Sequence, residues 1–94
     1  IGIDEKPSTF SEFKLYPNPS ADLIDVKFVM EKTGDASICI YDISGRQIEQ
    51  LFNGNVKKGE NLLTFSVNHL SAGSYQLTIV TDEEEIAVKS FIRK

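Results

Sequence analysis

The chain has one histidine and one cysteine, His69 and Cys39, and any nucleophilic or metal chemistry would start from these two side chains. A nucleophile needs a base, and that base needs an orienting partner. Ser66, Ser71 and Ser74 lie near His69 but are spread along a loop and two strands, with no glycine-framed elbow to present a hydroxyl. His69 therefore reads as a loop histidine. Cys39 is separated from it by a strand and hairpins, which is not zinc-ligand spacing. The carboxylates do no better. Asp82 to Glu85 are consecutive, so in a hairpin they point in alternate directions, and they lack the spacing and central glycine of a calcium loop. A solvated turn is the reading they support. Asp25 and Asp42 have no spacing that makes them an acid–base pair. Glycines frame "GDASICIYDISG", but without a helix they form no phosphate cradle. The chain is expected to be no enzyme and to hold no cofactor and no metal.

The elements around these residues are short and alternate with period two. "LIDVKFVM" (Leu23 to Met30) sets Ile24, Val26, Phe28 and Met30 against Asp25 and Lys27, which predicts a strand with one face in a core and one in water. "FKLY" (Phe13 to Tyr16) is a first short strand that stops at Pro17. "ASICIYDI" (Ala36 to Ile43) is apolar on both faces and so belongs in the middle of a sheet. "SGR" then turns into a weaker strand, "QIEQLF", with Gly45 suited to the positive-φ position of a bulged hairpin.

Two turn signals follow, Asn53-Gly54 and "KKG" (Lys57 to Gly59), and the pattern leaves open which is the tighter reversal; between them there is room for a short edge excursion. "NLLTFSV", "SYQLTIVT" and "IAVKSFI" complete seven strands at roughly eight-to-twelve-residue spacing, which predicts an all-β fold, an immunoglobulin-like antiparallel β-sandwich. Tyr75 enters the sixth strand directly after a loop. It reads either as a tyrosine corner, its hydroxyl bonded back to loop backbone, or as a plain core aromatic, and both bury its ring.

Composition narrows the function classes. Ninety-four residues, 40% hydrophobic and 26% charged, suit one globular domain, and a net charge of −4 opposes binding to nucleic acid or to an anionic membrane surface. No run reaches the roughly 18 apolar residues of a membrane span, and no signal peptide is present. Cys39, alone and flanked by Ile38 and Ile40, predicts a buried or half-buried thiol. Residues 1–12 mix charge, Gly, Pro and Ser as a linker does, and residues 13–94 form the domain. The chain starts without methionine, so a fragment of a longer protein is expected.

"LYPNPS" (Leu15 to Ser20) sits at that junction. Each proline fixes its own φ and pushes the residue before it toward extended geometry, so Tyr16 and Asn18 are held out of the helical region. The segment reads as a boundary, a tight corner or a recognition element.

Four separated elements, "LYPNPS", "IYDISGRQI", "LSAGSYQLTI" and a last strand with a basic end, "KSFIRK", together resemble the C-terminal sorting domain (type A) of the type IX secretion system of Bacteroidota. The resemblance covers about Phe13 to Lys94. The opening signature falls on Tyr16, Pro17, Asn18 and Pro19. The middle one falls on Ile40, Tyr41, Asp42, Gly45 and Arg46, the third on Leu70, Ala72, Gly73 and Tyr75, and the ending on Val88 to Lys94, with Arg93 and Lys94 its basic close. What the resemblance implies is a secretion signal at the C-terminus of a larger protein. It directs folded cargo across the outer membrane, through periplasm and translocon, to release or cell-surface attachment, and its partners are translocon components and a surface sortase-like peptidase that cuts in the linker.

On that reading Arg93, Lys94 and the backbone of Val88 to Ile92 contribute binding, while Pro17 to Pro19 and Gly73 to Tyr75 shape the scaffold. An exposed sheet edge also allows strand addition, strand swapping or an edge-strand dimer. The competing expectation is an immunoglobulin-like adhesion or carbohydrate-binding module, which needs a platform of exposed aromatics. Tyr16, Tyr41 and Tyr75 fall at strand positions expected to be at least partly buried.

Overall fold

In the computed structural model, which describes residues 10–17, 22–82 and 85–94, seven strands form two antiparallel sheets. They are β1 (Phe10–Tyr16), β2 (Leu23–Met30), β3 (Gly34–Asp42), β4 (Gln47–Val56), β5 (Gly59–Ser66), β6 (Gly73–Thr81) and β7 (Ile86–Arg93). One sheet has the order β1-β2-β5 and the other β4-β3-β6-β7. The all-β sandwich expected from the period-two pattern is the fold observed. Asn18, Pro19 and most of the linker lie outside the described residues, as do Glu83 and Glu84 of the acidic tip.

Alternation explains the core. β2 buries Ile24, Val26, Phe28 and Met30 on one side, and Ala36, Ile38 and Ile40 of β3 meet them from the opposite sheet with Leu77 and Ile79 of β6. Removing a side chain the size of Phe28 or Phe91 from water is worth about 1.5–3 kcal/mol each. β3 is central, as its two-sided apolar pattern requires, lying between β4 and β6. Cys39 has the opposite parity from Ile38 and Ile40, so its buried thiol belongs to the outward side of the sheet.

Several boundaries differ from the sequence reading. β1 begins at Phe10 rather than Phe13, and its register with β2 shifts between Ser11 and Lys14, where Glu12 has φ 53°. β4 runs straight through Asn53-Gly54: Gly54 pairs with Ala36, and the Phe52 ring lies beside it. The reversal is made instead at Lys57–Lys58, where Gly59 has φ 110° and the Lys58 amide donates to Thr33 Oγ1 at 2.9 Å. Tyr16, expected to be partly buried, is exposed on the outer surface of the first sheet, because its partner Asp25 also faces outward.

The two outer faces differ in charge. On the three-stranded sheet, Lys14, Asp25, Lys27 and Glu60 face out, and Lys27 Nζ meets Glu60 Oε2 at 3.2 Å. On the four-stranded sheet the outward row of β3 is Asp35, Ser37, Cys39 and Tyr41, and that of β6 is Ser74, Gln76, Thr78 and Val80. The edge strand β7 adds Ile86, Val88, Ser90 and Ile92. Of these side chains only Asp35 is charged; it lies near the start of β3, where Asn55 Nδ2 donates to its Oδ1 at 3.3 Å.

Candidate functional site

Because every strand reverses, the connections collect at two poles. One pole holds the end of β1, the start of β2, the β3–β4 turn, the β5–β6 corner and the end of β7. The other holds the start of β1, the β2–β3 and β4–β5 turns and the β6–β7 tip. All four sequence signatures, so far as they are described, reach the first pole, with Tyr16 and Pro17, Asp42 to Arg46, Leu70 to Tyr75, and Arg93 with Lys94; the last signature also runs back along β7 to Val88, opposite Thr78. Chain preceding residue 10 joins the fold at the second pole, where Phe10 pairs with Met30.

The β3–β4 turn is built on one carboxylate. Asp42 Oδ1 accepts from the Ser44 hydroxyl at 2.6 Å, the Ser44 amide at 2.9 Å and the Arg46 amide at 3.0 Å. Asp42 Oδ2 lies 3.4 Å from Arg46 Nε. Gly45 has φ 88° and donates its amide to the Asp42 carbonyl, which is the bulged hairpin that the sequence predicts. The Ser44 hydroxyl, then the Arg46 amide, holds the Asp42 carboxyl below its ordinary range. Ile43 takes no part in this network and is 81% exposed.

The β5–β6 corner is tied from three sides. The Tyr75 hydroxyl donates to the Ser71 carbonyl at 2.7 Å, and its ring stacks on Phe91 with centroids 5.7 Å apart. Of the two readings of Tyr75, the tyrosine corner is the one present. Leu70 is buried beneath the loop, and the Val67 amide donates to the Asp22 carbonyl at 2.8 Å. Arg93 closes the corner, with Nε donating to the Val67 carbonyl at 2.8 Å and Nη2 to the Asn68 carbonyl at 3.1 Å; Nη1 faces the Lys94 carbonyl. The guanidinium is thus held by backbone carbonyls rather than by a carboxylate, a geometry that a planar fork of donors suits. No period or spacing signals that clasp in the sequence.

The side chains with chemical potential are dispersed. His69 Nε2 lies 2.5 Å from Glu49 Oε1, an exposed pair linking the corner to the edge strand β4. Cys39 is buried on the other sheet surface from the core. Among the described residues no group of three His, Cys, Asp or Glu side chains could hold a metal ion, and no helix is long and apolar enough to cross a membrane.

A family model described as the secretion system C-terminal sorting domain matches residues 14–94, nearly the whole of the described fold. The chain belongs to that family. It is therefore a sorting-signal domain of the type IX secretion system, and the family implies interaction with that machinery and export through the outer membrane. Comparison with curated protein sequences finds no match. Among solved structures, a β-glucosidase from Listeria innocua in complex with glucose is similar over 95% of the sorting domain, at 17% identity and TM-score 0.54. The sorting domain spans 16% of that enzyme's length, and the likeness is one of fold.

Proposed function

We propose that this sorting domain is a non-enzymatic signal that carries an attached cargo protein through the type IX translocon, for release or for attachment at the cell surface. One observation carries the reading beyond family membership: the signature elements gather at one pole, and the preceding chain joins at the other. Cargo held at the far pole leaves the signature pole free to be met by translocon components. A surface sortase-like peptidase then acts on the segment before β1. Arg93 contributes by holding the pole's geometry, and Lys94 supplies an exposed charge beside it. Tyr16 is the one exposed aromatic among residues with described side chains, and a single ring makes no platform for a sugar.

The test is a fusion of the 94-residue chain to a reporter exported to the periplasm of a host with the type IX machinery. Appearance of the reporter at the cell surface or in the medium is the expected result, with periplasmic retention in a host lacking the translocon. Retention in both hosts overturns the reading. N-terminal sequencing of the recovered domain locates the cut.

A further inference from the structure

We propose that the outer face of the β4-β3-β6-β7 sheet, uncharged from Ser37 to the signature pole, is the surface on which a protein of the export machinery docks, through an uncharged surface of its own. The inference rests on the sorting reading and adds the place and chemistry of the contact. At 26% charged residues, about three of the twelve outward positions on β3, β6 and β7 would carry charge if charges were spread evenly, and only Asp35, at the end of β3 far from the signature pole, does. The charged residues of the two edge strands take the other parity. Lys89 stands opposite the core residue Leu77, and Glu49 stands opposite Ile40 and pairs with His69.

The face is also partly apolar. Ile86, Val88 and Ile92 are 62%, 51% and 50% exposed on β7. At the signature pole Ile43 and Ile92 line a shallow groove with the outward side chains Ser74, Gln76 and Ser90. The Asp42 network explains the turn without using the Ile43 side chain.

Charge selects the occupant. An anionic lipid or polysaccharide would find no cation on this face and a net charge of −4 behind it. A charged protein surface would lose its hydration there without gaining a partner. Hydroxyls and amides between aliphatic side chains suit a neutral protein face, which they meet by close packing and a few hydrogen bonds.

The experiment places a lysine on each outer face of the reporter fusion. Val88→Lys and Leu62→Lys are matched, because the two residues are exposed to similar extents, 51% and 57%, on opposite sheets. Gln76→Lys repeats the insertion at an exposed polar position, and Val88→Thr keeps the site neutral. Thermal midpoints of the 94-residue chains identify any variant that fails to fold. Burying an unpaired lysine at the contact is expected to lower the secreted fraction by about tenfold or more for Val88→Lys and Gln76→Lys, with Leu62→Lys and Val88→Thr close to wild type.

If folded Val88→Lys and Gln76→Lys variants are secreted like wild type, the docking face is wrong while the sorting reading stands. If the wild-type fusion itself is retained, the sorting reading has failed. A wild-type dimer in sedimentation that Val88→Lys abolishes would assign the face to a second copy instead, and overturn the proposal.

Discussion

The guanidinium of Arg93 donates to the carbonyl of Val67 at 2.8 Å, joining the end of the last strand to the corner that opens the sixth. With Nη2 on Asn68, the side chain satisfies carbonyls of a corner that has no strand partner there. Arg93→Ala is expected to lower stability by about 1–2 kcal/mol in urea denaturation, the loss of charge-assisted bonds that are partly shielded from water. Arg93→Lys keeps the charge but cannot span both carbonyls, so it recovers only part of the loss. Full recovery by lysine would show that charge rather than the fork holds the corner.

Tyr75→Phe removes the bond to Ser71 and leaves the stack on Phe91. The expected cost is about 1 kcal/mol, a thermal midpoint lower by about 4–8 °C for a domain of this size. Tyr75→Ala removes the ring as well and costs about 3–5 kcal/mol. Equal effects of the two substitutions would deny the hydroxyl its role in the corner.

Acid should weaken the β3–β4 turn. The Asp42 carboxyl is held below its ordinary range in the folded chain, first by the Ser44 hydroxyl. Its contribution is therefore fully present above the unfolded carboxylate range, about pH 4, and is lost as pH falls through the lower folded value. Asp42→Asn should flatten the acid limb of stability against pH, measured by denaturant midpoints. An unchanged limb would place the acid sensitivity elsewhere.

Backbone geometry separates two glycines. Gly45→Ala forces an L side chain to φ 88° in open space, so the cost is conformational, about 1 kcal/mol. Gly54→Ala sits in regular strand with the Phe52 ring 3.4 Å away and should change stability by no more than about 0.5 kcal/mol. Similar losses at both sites would mean that the positive φ at Gly45 is not a requirement of the turn.

Strand count, the central place of β3 and the Gly45 turn were legible because each is a local pattern: period two, apolarity on both faces, a glycine where φ must be positive. Asn53-Gly54 misled for the same reason. As a pair it is a strong turn signal, but Gly54 opposite Ala36 is held in the ladder by the long register of β3 with β4, and pairing overrides the dipeptide. The gathering of the signatures at one pole follows from six reversals between seven strands, yet Arg93 on Val67 spans 26 residues and depends on a rotamer that no alternation reports. The nearly uncharged face was hidden because its residues come from strands far apart in sequence, between charged positions of opposite parity such as Lys89.

The strand that supplies Phe91 and Arg93 is also the last of the seven to leave a ribosome, after the corner it must fasten. A chain that stops at Ser90 has every turn, six whole strands and part of the seventh, but no ring for Tyr75 to lie against and no guanidinium to tie the Val67 and Asn68 carbonyls. Closure of the pole thus doubles as a length check, because only a polypeptide translated through its final strand can complete it.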